Sequence, residues 1–372
     1  MKMKIITRSL AVTALFTTAL HAAPFLAISE NAEVFLTGTA GIRSDSNVYM
    51  SNTATSDTIA NLDVGAELKF GARTAANGLF SVVDSFSNFT SHSGLNSQLA
   101  TVRFVTNYDD GKLKLGFNSS YVESNTNQTD TINHDFLSRN NTLSVGGNAE
   151  LGVTEKSSVG GGADYVRTTY RRAGYSNSDV ITVPFNYYYE ATPKVDLSLG
   201  YRVRSTTVSL GQDSHDYFYN VGARGQFTPK LNGQFNIGLN QRSIPNGGGS
   251  ENQLGVTSNF NYAYSPKTSA NFGVNNDFGT TGQGQQQKSL TFTAGVQTNV
   301  SEEWSVNLNV SHRTITYPTR TDHYIEGQIG ATYTVNIHVG ISAAYIHRNN
   351  ASPLTGAAFT GDVFSLTANF RY

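Results

Sequence analysis

The sequence predicts an all-β chain that closes into a single antiparallel transmembrane β-barrel of about eighteen strands, with sixteen as the alternative count. Three observations carry this expectation. Segments of apolar–polar alternation recur from Val34 to the last residue. They are joined alternately by short turns and by longer polar connections. The N-terminus is basic and then apolar, the layout of a secretion signal.

Successive side chains of a strand point to opposite sides, so strict alternation describes a strand whose two faces meet different surroundings. In 195–203, Val195, Leu197, Leu199, Tyr201 and Val203 alternate with Asp196, Ser198, Gly200 and Arg202. In 231–239, Leu231, Phe235, Ile237 and Leu239 alternate with Asn232, Gln234, Asn236 and Gly238. Segments 290–300 and 304–310 repeat the pattern, the second with Trp304, Val306, Leu308 and Val310 on one face. The polar face is small and amide-rich, which suits a wet lumen, and the apolar face carries aromatics near its ends, which suits membrane interfaces.

Read in order, the segments fall near 34–43, 58–70, 79–90, 97–108, 113–123, 141–154, 158–170, 179–191 and 195–208. They continue near 215–227, 231–243, 251–264, 268–278, 287–300, 304–316, 322–335, 337–347 and 361–372. The third alternates poorly around Phe80 to Thr90, which is why sixteen stands as the alternative. Thr192-Pro193-Lys194, Thr228-Pro229-Lys230 and Ser265-Pro266-Lys267 are one short turn used three times, with Pro where its missing N–H does no harm. Asp109-Asp110-Gly111-Lys112 and Ser301-Glu302-Glu303 look equivalent. The other connections are longer and rich in Ser, Asn, Gly and Gln, as in 124–133, 245–250, 279–287 and 349–361. Bacterial barrels show this asymmetry between periplasmic turns and extracellular loops, and an even strand count puts both termini on the periplasmic side.

Lys2, Lys4 and Arg8 precede an apolar run from Leu10 to Leu20, with small residues around Ala22 and Ala23. Cleavage is expected after Ala22, giving a signal peptide over 1–22 and one outer-membrane barrel domain over 23–372. The apolar run is too short for a spanning helix, which needs about 20 apolar residues. The chain has no Cys, so disulfides and thiol chemistry are excluded. Formal net charge is -1 and no basic patch stands out, which argues against nucleic acid as a partner. Only 14% of residues are charged, against 19 Tyr and 21 Phe, a balance that suits lipid-facing girdles. A soluble sandwich is the competing architecture, but it needs a dry core between two sheets, which is awkward for about eighteen strands in series.

The last segment alternates strictly. Phe364, Leu366, Ala368, Phe370 and Tyr372 are apolar; Ser365, Thr367, Asn369 and Arg371 are polar. It resembles the C-terminal strand of bacterial outer-membrane barrels, which the barrel-assembly machinery reads as an insertion signal. Phe370 and Tyr372 are the assembly residues that resemblance implies. In the first hairpin, Asp45-Ser46-Asn47 ends one strand and Ser56-Asp57-Thr58 leads the next. These motifs resemble the putative β-barrel porin 2 family, whose members include barrels from exopolysaccharide operons. Beyond that hairpin the match is one of length and hairpin rhythm. The resemblance implies a bacterial outer-membrane barrel, a porin-like role with a link to exopolysaccharide export, and no catalytic residues. Outer-membrane lipid, the assembly machinery and polysaccharide or small solutes are the partners it implies.

Parity places Arg43, Asp45 and Asn47 on the lumen side near the outer rim. There they form either a cluster for a cation or a sugar hydroxyl, or an Asx-type turn holding the loop start; the turn is favoured. Parity also puts Lys69, Arg103, Lys114, Arg202, Arg204, Arg224, Arg313 and Arg371 inside. Asp63, Glu67, Glu150, Glu190, Asp196, Asp277 and Glu326 share that face. Mixed signs give no strong ion preference, and each residue is favoured as a brace across strands over a selectivity group. Arg202, Arg204 and Arg224 form the densest positive group and are the expected anionic or sugar-lining track.

Catalysis is not expected. His312 and His323 flank one outer loop beside Asp322, but no G-x-S-x-G elbow, H-E-x-x-H spacing or phosphate loop occurs, so no metal or cofactor is expected either. A barrel of this size holds water unless a loop plugs it, and 124–133 and 349–361 are the candidates for folding inward. The expected function is passive diffusion. The alternative is a non-conducting structural or adhesion barrel that works through its outer loops, and an inward-folded loop or closed lumen would favour it.

Overall fold

The computed structural model describes residues 23–129, 131–132, 136–245 and 248–372; the expected signal segment 1–22 lies outside them. Nineteen strands follow in chain order. They are β1 (Leu26–Ser29), β2 (Ala32–Asp45), β3 (Asp57–Phe70), β4 (Ala76–Phe89), β5 (Ser97–Asp109), β6 (Leu113–Asn125) and β7 (Arg139–Gly152). Next come β8 (Ser157–Tyr170), β9 (Ser178–Thr192), β10 (Val195–Val208), β11 (Ser214–Gln226), β12 (Leu231–Ile244) and β13 (Gly249–Ala263). The last are β14 (Thr268–Thr280), β15 (Gln286–Asn299), β16 (Trp304–Thr316), β17 (Thr321–Thr334), β18 (Val339–Ala351) and β19 (Phe359–Arg371).

From β2 onward each strand pairs antiparallel with its sequence neighbour, and β19 pairs back onto β2 through Leu366–Ile42 and Ala368–Ala40. The sheet therefore closes. Closure pairs every wall strand on both sides, which is what an apolar solvent demands of a strand edge. Eighteen strands make the ring, so the count of eighteen holds and sixteen is set aside. The weakly alternating third segment is a full strand that starts at Ala76, after a turn with left-handed φ at Gly71 and Arg73 (73° and 67°).

β1 is an addition to the expected fold. It is four residues long, too short to show a period, and pairs Leu26 with Val34 and Ala27 with Glu33. It lies along the edge of β2 just past the end of β19. There Leu36 N–H donates to Tyr372 O at 2.6 Å and Tyr372 N–H to Leu36 O at 2.9 Å. The Phe25 ring meets Tyr372 edge-on at 6.2 Å, and Tyr372 stacks on His338 at 4.8 Å.

The two faces differ as alternation requires. Leu62, Val64, Leu197, Leu199, Val221, Leu239 and Leu308 are exposed on the outside. Aromatics gather there near the short-turn end: Trp304 against Tyr333 at 5.0 Å, and Phe260 against Phe272 at 5.0 Å. Inside, amides pack beside glycine. A Cβ at Gly295 would meet Asn271 Oδ1 at 2.3 Å and Asn309 Oδ1 at 2.5 Å, so only Gly lets both amides lie against that strand.

The interior also changes along its length. Towards the short turns, the inward residues Lys69, Arg103, Asn107, Asn232, Gln234, Asn259 and Asn261 are exposed. Towards the long loops the inward face is packed. Val48, Tyr49, Ile59 and Phe89 form one buried cluster, and Met50, Tyr324 and Phe359 another. Of the stretch expected to fold inward over 124–133, residues 124 and 125 end β6 and residues 130 and 133 lie outside the described residues; 126–129, 131–132 and 136–138 lie over that mouth. Asn127 Nδ2 donates to Tyr49 O at 2.7 Å and to Phe136 O at 2.8 Å. Gln283 and Ile132 bond reciprocally, and Arg313 Nη1 reaches Thr129 Oγ1 at 3.2 Å. The linkers expected over 245–250 and 279–287 are shorter than that, because β13 already starts at Gly249 and β15 at Gln286.

Candidate functional site: the charged lumen

Arg202 and Arg204 stand on β10, and Asp277 stands on β14. Four strand spacings separate them, roughly 19 Å around the wall, so their contact runs across the interior. Arg204 donates through Nε and Nη2 to Asp216 Oδ2 at 2.8 and 2.6 Å, and through Nη1 to Asp277 Oδ2 at 3.0 Å. Arg202 Nη2 reaches the same Asp277 carboxylate at 3.0 and 3.2 Å, and Asn240 Nδ2 donates to it at 2.7 Å. Arg242 completes the group: Nε and Nη2 grip Asp216 at 2.6 and 2.8 Å, and Nη1 bonds Gly279 O at 2.8 Å. The Asp216 side chain is fully buried. Two carboxylates thus hold three guanidinium groups on facing parts of the wall, with bidentate geometry that suits Arg.

A second group lies nearer the short turns. Arg224 on β11 forks onto Glu150 on β7 with two bonds of 2.7 Å. It also donates to Asp196 at 3.0 Å and lies 3.3 Å over the Tyr188 ring. Lys114 Nζ approaches Glu150 at 3.6 Å. So the three arginines grouped from sequence belong to two separate networks, each already facing carboxylates. Glu190 is inward and half-buried. Arg103 is exposed to the lumen. Glu326 on β17 accepts from Tyr324 Oη at 2.5 Å, apart from both networks. Arg371 bonds Glu67 at 2.9 Å and covers the Phe35 ring.

At the rim, Asp45 Oδ1 accepts the Asn47 amide at 3.0 Å, which is the Asx turn. Asn47 Nδ2 donates to Ser51 O and Thr360 O at 2.8 and 2.9 Å, and so ties the first loop to the last strand. Asp45 also takes Arg348 Nη2 at 2.7 and 2.8 Å, while Arg43 stands beside that pair, its buried Nε without a hydrogen-bond partner among the described residues. In the second motif, Asp57 accepts the amides of Thr58, Ser91 and His92 at 2.7, 3.0 and 3.0 Å, and His92 Nδ1 lies 2.7 Å away. A fully buried carboxylate thus orders the loop after β4.

Sequence reasoning did not pick out Asp216, Arg242, Arg348 or Asp57 as binding partners. The first three carry the same inward parity as the residues chosen, so alternation was a usable signal. What pairs with what depends on the curvature of the wall. His312 and His323 face outward with rings 6.2 Å apart, and His323 Nδ1 is 3.3 Å from Thr314 Oγ1. Asp322 points the other way, to Arg320 at 3.1 Å, because adjacent strand residues face opposite sides. The His/Asp pair conceivable from sequence is therefore not assembled.

The family model described as putative beta-barrel porin 2 matches residues 210–372. This is the family that the first hairpin resembles, although the match lies in the C-terminal part of the chain. No curated protein matches the sequence. Among solved structures, OccK2 (OpdF) of Pseudomonas aeruginosa in complex with glucuronate superposes with a TM-score of 0.51 at 9% identity, over 92% of this chain and 98% of that one. OccK5 (OpdH) of the same organism gives 0.50 at 8% identity over 94% and 99%, and OccK3 (OpdO) gives 0.50 at 9% over 92% and 96%. At such identities the likeness is one of fold. The chain shares their closed-barrel fold.

Proposed function

We propose that this chain is a bacterial outer-membrane channel for passive diffusion of small polar solutes. The observation that carries this is the water-exposed, amide- and charge-lined interior of the short-turn half, at Lys69, Arg103, Asn107, Asn232, Gln234, Asn259 and Asn261. A barrel that only braced a membrane would gain by packing that face with apolar side chains. In this reading the short turns face the periplasm, the wet half is an entry vestibule, and the loop bearing Asn127, Thr129 and Ile132 sets the size limit at the outer mouth. Arg202, Arg204 and Arg224 are matched by carboxylates, so they set at most a weak charge preference. The link to exopolysaccharide passage rests on the family resemblance and belongs to this proposal. So do recognition of Phe370 and Tyr372 by the assembly machinery and removal of residues 1–22.

One observation favours the second reading, a non-conducting barrel: Asn127, Thr129 and Ile132 are bonded across the outer mouth, which is packed around Tyr49, Tyr324 and Phe359. Single-channel recording of refolded protein in a planar bilayer, under two salt gradients, separates the two. Steady, weakly selective steps support the channel. Silence from protein with barrel circular dichroism and heat-modifiable migration rejects it in favour of a loop-borne role.

A further inference from the structure

A charged cluster stands on the outside of the wall, where none of the lumen chemistry reaches it. The register pairs Tyr121 with Leu143, and Leu143 with Arg167. It pairs Asn125 with Arg139, and Arg167 with Asp179. Paired residues share a face, and Leu143 is an exposed outward residue, as is Ile181 two positions from Asp179. Tyr121, Glu123, Arg139, Tyr165, Arg167 and Asp179 therefore project outward, at the long-loop ends of β6 to β9. Arg171 joins them just past β8.

The cluster is built around Glu123. Its carboxylate accepts Arg139 Nη2 at 3.1 Å, Arg171 Nη2 at 2.9 Å and Tyr121 Oη at 3.2 Å. It also takes the Ala100 amide at 3.4 Å, left over where the β5–β6 ladder stops at Thr101–Val122. Next to it Asp179 accepts the Tyr165 hydroxyl, with Arg167 Nε 3.8 Å away. Exposure is uneven. The Glu123 side chain is 13% exposed, while Arg171 and Arg167 are 53% and 57% exposed. The outermost layer is thus guanidinium over a covered carboxylate, and the buried Nε of Arg139 has no hydrogen-bond partner among the described residues.

Charges on the outer face of a barrel are costly at the bilayer midplane and cost little at its interfaces. Three arginines against two carboxylates leave the outer wall net positive at that height, which favours an anionic layer beside it. We propose that Arg139, Arg167 and Arg171 form an outward-facing site for the phosphate monoester of an outer-leaflet lipid headgroup, seated against β6 to β8 while its acyl chains lie on Phe117 and Leu143. A guanidinium fork matches phosphate oxygens in two-point geometry, and Glu123 holds Arg139 and Arg171 beside one another. This inference rests on the outer-membrane reading but not on conduction, so a silent barrel leaves it standing.

The test is native mass spectrometry of the full-length refolded protein in detergent. The probes are bisphosphorylated lipid A, its dephosphorylated form, and inorganic phosphate. The phosphorylated lipid is expected to bind at least ten-fold more tightly than the dephosphorylated one. R139Q/R171Q is expected to lose that difference, while K156Q, in a short turn at the other end, keeps it. Should the double variant fail to fold, E123Q supplies the second arm: it retains the arginines and is expected to bind the phosphorylated lipid at least as tightly as the parent. Equal binding of both lipids overturns the proposal, as does an undiminished preference in folded R139Q/R171Q. Inorganic phosphate that displaces the lipid at equal concentration overturns it too, since the site would then be one for a free anion.

Discussion

Asp216 is the residue whose loss should be felt most. Its carboxylate is fully buried and receives Arg204 and Arg242 through four bonds of 2.6 to 2.8 Å. Replacing it with Asn keeps the shape and removes the charge, so two buried guanidinium groups lose their shared counter-ion. Removing one partner of a buried pair typically costs about 3–5 kcal/mol. Arg204 retains Asp277, and Arg242 retains Gly279 O and Gln286, so the expected loss is at the low end, about 3 kcal/mol. Asp196→Asn is the internal comparison. Asp196 is 22% exposed, and Arg224 keeps its two bonds to Glu150, so the expected loss is about 1 kcal/mol or less. Urea unfolding from phospholipid micelles, followed by the fluorescence of the single Trp304, measures both. If the two variants unfold within about 0.5 kcal/mol of each other, burial and pairing do not set the value of these contacts, and the bracing account of the lumen is wrong.

Replacing 128–136 by a short Gly-Ser linker should raise single-channel conductance several-fold, because the anchors of Ile132 to Gln283 and of Thr129 to Arg313 cross the mouth; unchanged conductance would show that the limit lies elsewhere. Asn47→Ala removes two side-chain donations, to Ser51 O and Thr360 O, at about 1 kcal/mol each; the first loop should become the earliest site of limited proteolysis. Tyr372→Ala loses ring contacts with Phe25 and His338. It should lower the amount of assembled barrel in cells far more than the yield of refolding in detergent, and equal loss in both would point to plain destabilisation. In the turn after β5, the amides of Leu113 and Lys112 hold the Asp110 carboxyl below the usual aspartate range. A depressed folded pKa stabilises above the unfolded value and is lost as pH falls through the folded one. The Asp110 carboxyl carbon should therefore titrate below that of an unfolded-chain aspartate in an NMR titration, and Leu113→Pro, which removes the first amide, should move it upward.

Much of this molecule follows from local rules. A strand of period two needs no distant information, so the alternation of Val195 to Val203 fixed both the strand and its lumen face, and the Thr-Pro-Lys turns set its neighbour and direction. The same parity puts Arg202, Arg204, Arg224 and Asp277 on one face, where they meet carboxylate and guanidinium partners from other strands. Only the closed tertiary structure decides who meets whom across the lumen. Asp277 lies more than seventy residues from Arg204, and the contact exists because the wall curves the two strands towards each other. Curvature likewise parted Arg224 from the other two arginines and gave it to Glu150. The short strand β1 was illegible for a different reason: four residues cannot display a period, and its pairing depends on an edge that appears only where β19 stops. That residues 126–132 are candidates for the mouth was legible from length and polarity alone. Where Asn127, Thr129 and Ile132 sit is decided by bonds to Tyr49, Arg313 and Gln283 in three other parts of the barrel, which no local pattern encodes.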